Sequence, residues 1–123
     1  LSKTTDLKKL IVTQLGTTTG GTYYRKAVDN AAFPYKVFSF RSVDLSDIAR
    51  DDIMLTVDIY DMGTNQKTIE SIADSIEALF NAKNLPQTNI LPTIYRNSRI
   101  YIDSDDYNIQ HIELTFYIQS YEK

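Results

Sequence analysis

The sequence predicts an α+β domain: an antiparallel or mixed sheet of four to five strands, two helices on one face, in the order α-β-β-(β)-α-β-β. Three observations carry this. Residues 53–61 alternate with a period of two: Ile53, Leu55, Val57 and Ile59 point one way, Met54, Thr56, Asp58 and Tyr60 the other. Residues 109–121 repeat the pattern, with Ile112, Leu114, Phe116 and Ile118 sharing a face. Between them, Ile69, Ile72, Ala73, Ile76, Leu79 and Phe80 recur at helical spacing. Helices gathered on one side of an antiparallel sheet are the simplest packing for such an order.

The first element is a predicted helix over residues 5–15, where Leu7, Leu10, Ile11 and Leu15 form one face. Thr5 suits the N-cap, Asp6 the first turn and Gly16 the stop. The run Gly16-Thr17-Thr18-Thr19-Gly20-Gly21-Thr22 is too polar and glycine-rich to pack, and reads as a mobile loop. A short strand is expected over 23–28, followed by a turn at Asp29-Asn30. Pro34 opens a firmer strand over 35–43, a position where proline is tolerated. Residues 44–52 read as a charged hairpin tip before the strand 53–61. The second helix spans 66–82; Asn84 suits a left-handed C′ position and Pro86 blocks continuation. Strands near 99–103 and over 109–121 follow, joined by an acidic turn. No internal repeat or linker interrupts the pattern, so residues 1–123 read as one domain.

Composition narrows the function classes. The 123 residues include no cysteine, which excludes disulfides, zinc-thiolate sites and a cysteine nucleophile, and fits a reducing compartment. No apolar run approaches the roughly 18 residues of a membrane helix. The opening Leu1-Ser2-Lys3-Thr4-Thr5 does not read as a signal peptide, since no apolar stretch follows the basic residue directly. Residues 1–34 carry five basic and two acidic side chains, a balance of +3. The rest carry eight basic and fourteen acidic, a balance of −6. With a pI near 5.0 and no basic run longer than two residues, tight nucleic-acid binding is disfavoured.

Candidate chemistry is sparse. The loop 16–22 has the glycine spacing of a phosphate loop, but Thr22 stands where lysine is needed, and a helix precedes it instead of a strand. Asp103, Asp105 and Asp106 cluster in one turn, yet lack the further ligands and spacing that wrap a hard cation; acidic turns are common because Asp accepts turn geometry. His111, the sole histidine, lies on a polar strand face two residues from Glu113, with no GxSxG or other nucleophile motif in the chain. A solvent-facing or interface histidine is the reading preferred. No metal or cofactor site is expected. The tyrosines, 9 in all, are more informative. Tyr60, Tyr117 and Tyr121 fall opposite the aliphatic face, and Tyr101 is expected to join them. Tyrosine suits any strand, but a row of it where solvent-facing charges are usual also suits a subunit interface.

The layout resembles the tail terminator, or tail completion, proteins of long-tailed phages and prophages. The likeness rests on Phe33-Pro34-Tyr35 opening a strand and on the strand Ile53-Met54-Leu55-Thr56-Val57-Asp58-Ile59-Tyr60-Asp61. It continues through Gly63, the helix Thr68-Ile69-Glu70-Ser71-Ile72-Ala73-Asp74-Ser75-Ile76, and the strand Ile112-Glu113-Leu114-Thr115-Phe116-Tyr117-Ile118. These are fold-level patterns covering nearly the whole chain. The resemblance implies a virion protein, made in the host cytoplasm, that forms a ring of typically six subunits at the head-proximal end of the tail. Its partners would be further copies of itself, the tail-tube protein, a head completion or neck protein, and DNA passing through the lumen without tight binding. It implies no cofactor and no catalytic residues. The rival readings are another neck or connector subunit, and a small hydrolytic enzyme using His111 and the acidic turn. On the ring reading, Tyr60, Tyr117 and Tyr121 are candidate interface residues. Asp103, Asp105 and Asp106, or the six aspartates between Asp44 and Asp61, are candidate lumen-facing residues. Loops 17–22 and 45–51 are expected to be weakly ordered in a free subunit.

Overall fold

The computed structural model describes residues 3–45, 50–63, 65–80, 83–84, 90–103 and 108–122. Its elements are α1 (Lys3–Leu15), β1 (Gly21–Tyr24), β2 (Tyr35–Leu45), β3 (Arg50–Met62), α2 (Lys67–Phe80), β4 (Lys83–Asn84), β5 (Ile90–Ile102) and β6 (Ile109–Glu122). The fold is α+β with the predicted element order. Five strands of four or more residues form a mixed sheet, which the two-residue β4 extends, in the order β1-β2-β3-β6-β5-β4. Among the described residues, only β1 and β2 pair in parallel.

The two strands with the cleanest alternation, β3 and β6, are the central pair, in continuous register from Arg50↔Tyr121 to Met62↔Ile109. Both helices cover one face. Leu7, Ile11 and Leu15 of α1 and Ile69, Ile72, Ala73, Ile76 and Phe80 of α2 share a single core with Leu55, Val57, Ile59, Leu114, Phe116 and Ile118. Phe80 meets Phe116 edge-on at 5.3 Å, a favoured aromatic geometry. Leu79 packs at the margin of this core, while Leu10 is buried outside it.

Four local expectations are corrected. Residues 44–45 and 50–52 are not part of a loop: Asp44↔Asp52 and Leu45↔Asp51 continue the hairpin ladder beyond Val43↔Ile53, and only 46–49 lie outside the described residues. The first strand is Gly21–Tyr24 instead of 23–28, because it takes its register from β2. Asn84 does not cap a helix; it pairs with Thr93 in β4. The strand expected near 99–103 begins at Ile90.

The polar run 16–22 is largely exposed, yet hydrogen bonds tie it to α1 and to β2. Thr17 and Thr18 each donate both backbone N–H and hydroxyl to the Gln14 and Leu15 carbonyls, the hydroxyls at 2.7 Å, which closes the end of α1. Lys36 then anchors the glycines. It lies on the core face opposite Ile59, fully buried, and its ammonium donates to the carbonyls of Thr19 and Gly20 at 2.9 Å each. Burial lowers its pKa to about 8. Gly20 has φ 94°, and a Cβ there would sit 2.5 Å from the Pro34 carbonyl oxygen, so the close approach of this loop to the start of β2 requires glycine.

Candidate functional site

The face of the sheet opposite the helices carries the sequence-predicted residues, and the register decides which of them meet. Tyr35, Tyr60, His111 and Ile102 form one cross-strand row. Tyr60 stacks on Tyr35 at 5.1 Å and on His111 at 4.3 Å, and Phe33 extends the row against Tyr35 at 5.2 Å. Cross-strand aromatic pairs of this kind fix register as well as adding stability.

The next row places Asp58 directly opposite Glu113. Like charges so placed repel, and each has a compensating partner. His111 Nε2 lies 2.7 Å from Asp58 Oδ1, and the Arg41 guanidinium lies 3.7 Å from Glu113. The Tyr60 hydroxyl is pushed above the ordinary tyrosine value, first by burial and then by the negative charge of Asp58. His111 is therefore an oriented member of the sheet, one nitrogen held by a carboxylate and one ring face covered by Tyr60.

A third row consists of hydroxyls: Ser39, Thr56, Thr115 and Ser98. Thr115 is hydrogen-bonded to Ser98 and accepts from Asn97 Nδ2 at 3.0 Å. The fourth row is Met54, Tyr117 and Tyr95. Tyr121 lies farther along β6 opposite Arg50, and is exposed. Tyr60, Tyr117 and Tyr121 thus share the open face, but the hydroxyl row separates Tyr60 from Tyr117. Tyr101 does not join them: it pairs with Ile112 on the helix-bearing face, where its hydroxyl lies 3.3 Å from Glu70 of α2.

Residues 25–34, the connection between the parallel strands, border a concavity of about 560 Å³ over the Tyr35–Tyr60 end of this face. Asp58, Val37 and Phe33 line it together with Arg25 and Asn30, both of which have positive φ. Sequence reasoning missed this arm as a component of the open face, because nothing local to 25–34 shows which way a parallel crossover turns.

Of the acidic turn, Asp103 is exposed at the end of β5, and Asp105 and Asp106 lie outside the described residues. Of the aspartates from Asp44 to Asp61, Asp58 is tied to His111 and Asp61 accepts from the backbone N–H of Met62 at 2.8 Å, while Asp47 lies outside the described residues. Sequence reasoning also missed a charged cluster on the helix side. Arg99 Nε donates to Glu77 at 2.8 Å and its terminal nitrogen to Asp74 at 2.7 Å, while Arg96 reaches the other Glu77 oxygen at 3.2 Å. These contacts, the Glu77 hydrogen bond first, hold the Arg99 pKa above its usual value. The signal was an acidic residue at every third or fourth position of α2, which reads equally well as a solvated face.

No family model and no curated sequence matches the chain. In structure, the chain is similar to a component of the virion of a native gene transfer agent particle. The TM-score is 0.66 at 11% identity, over 99% of this chain and 96% of that one. At that identity the likeness shows a shared fold, over essentially the whole length of both chains.

Proposed function

We propose that this protein is a structural, non-catalytic virion component that works by assembling with other virion proteins. The observation that carries the reading is the whole-length fold likeness to a chain of a gene transfer agent virion. An open sheet face with stacked tyrosines instead of a layer of solvated charges supports it. The finer role is that of a ring, typically of six subunits, at the head-proximal end of a tail. There it stops tube polymerisation and joins tail to head. Tyr60, Tyr117 and Tyr121 contact a neighbouring subunit or tube protein. Asp103, Asp105 and Asp106 face the lumen, where repulsion of phosphate keeps DNA centred and mobile.

Negative-stain images and native mass spectrometry of the purified protein, alone and with tail-tube protein, test this. Rings that cap tubes are the expected result. Rings that bind head-side proteins and ignore tubes would assign a neck subunit instead. A strict monomer indifferent to both would overturn the assembly role. Tyr117→Lys should weaken ring formation more than it lowers the melting temperature. Assembled rings should show no tight duplex binding in low-salt gel shifts, because phosphate-neutralising contacts would appear there first.

A further inference from the structure

The sheet is open at both ends, and the two ends carry opposite charge. On one side β1 is the edge strand, with nothing paired to its outer side among the described residues. On the other, β4 covers β5 only at Ile94 and Thr93, so residues 96–102 of β5 form a second edge with no described partner strand. Unpaired strand edges are templates for pairing with another chain, and proteins that stay monomeric blunt them. Here the devices are partial: β1 is only four residues long and β5 carries a bulge between Arg96 and Ser98, so each edge leaves a short stretch for pairing. Six of the eight exposed large apolar side chains among the described residues lie at these ends: Tyr95, Ile100 and Tyr101 on β5, and Val12, Tyr24 and Val28 around β1.

The β1 end is basic. Lys8 lies over the Tyr24 ring at 4.7 Å, and with Lys9, Val12 and Thr13 it lines a groove of about 450 Å³ between α1 and β1. Arg25 and Lys26 follow β1 directly and are exposed. The β5 end is acidic. Its arginines, Arg96 and Arg99, are already engaged by Glu77 and Asp74, while the Asp74 side chain stays 72% exposed and Glu70 and Asp103 add further negative charge.

We infer that the β5 edge of one copy docks on the β1 edge of the next, Tyr101 on the helix-bearing side meeting the Tyr24–Val12 groove and Glu70 and Asp74 meeting Lys8 and Lys9. The occupant is a second copy of this chain because each end supplies what the other lacks. Two β5 ends would oppose acid to acid, and two β1 ends base to base, so the charges select against a twofold dimer. A head-to-tail contact repeats, and it closes into a ring when the rotation per subunit allows. The inference rests on the ring reading above and names the surfaces that would make it.

The test uses two variants of the full chain: Lys8→Glu/Lys9→Glu, which spoils the β1 end, and Glu70→Lys/Asp74→Lys, which spoils the β5 end. Thermal melts check that both fold. By native mass spectrometry each alone is expected to be monomeric where the unmodified protein assembles. Mixed together they should regain assembly with the two variants alternating, since the unmodified ends are complementary and so are the two reversed ends. The four-fold substituted chain, with both ends reversed, should regain assembly. Variants that assemble like the unmodified protein, or a mixture that stays monomeric, would overturn the edge-to-edge contact and leave the ring reading standing. An unmodified protein that is monomeric alone and with tube protein would overturn both.

Discussion

On its helix-covered side the β3–β6 pair presents Ile53, Leu55, Val57 and Ile59 against Ile112, Leu114, Phe116 and Ile118; on its open side the same strands present Asp58 and Tyr60 against Glu113 and His111. The first set is held by volume. Every member is at most 2% exposed, and any apolar side chain of the right shape would serve. The second set is held by pairs: a stack, a carboxylate–imidazole contact, a distant guanidinium. Residues from the helix side should therefore dominate folding stability, and residues from the open side should mainly fix register and offer chemistry to a partner.

The largest effect should come from the core. Phe116→Ala removes a buried ring that packs on Phe80, and should cost about 3–5 kcal/mol in urea unfolding. A loss under 1 kcal/mol would mean that the helices do not pack as described.

Glu77 is next. Glu77→Gln removes the charge that holds Arg96 and Arg99, and should cost about 1–3 kcal/mol, since hydrogen bonds to charged groups in a largely buried setting are the stronger kind. An unchanged midpoint would show that solvent replaces the cluster.

Lys36 contributes a pH dependence instead of a fixed loss. Its folded pKa, about 8, lies below the unfolded value of 10.5, so between these values the unfolded chain binds more protons. The penalty for burying charge is fully present below pH 8 and relieved as pH rises towards 10.5. The stability of the unmodified protein relative to Lys36→Met should rise across that window. A flat difference would mean that the ammonium is not desolvated.

The smallest effect sharpens the contrast between the faces. Tyr60→Thr keeps a strand-compatible residue but removes both stacks, and should cost about 1 kcal/mol or less. A loss as large as that of Phe116→Ala would erase the distinction between the faces.

The parts of the fold that were legible are those in which one period runs unbroken. The α2 stripe and the alternation of β3 and β6 each carry their own evidence, and the core follows from them. The first half of β5 was hidden for a physical reason: the register shifts between Arg96 and Ser98, so no single period of two runs through the strand. That shift also turned Tyr101 to the helix side, against expectation. Lys36 could not have been found locally, because its partners are carbonyls 16 and 17 residues earlier in the chain. His111 and Asp58 are 53 residues apart, and only the pairing of β3 with β6 brings them together.

That pairing has a consequence for how the chain comes off the ribosome. β6 is the central strand of the sheet but follows every other element in the chain. Until residues 109–122 emerge, β3 can pair only with β2, and β5 has no partner on its inner side. The nascent chain therefore carries the open edge of β3 from residue 62 onward and that of β5 from residue 102, and the sheet closes in one late step. Neighbouring nascent copies on one message, each with an identical unfilled slot between β3 and β5, are the hazard that this order of elements creates.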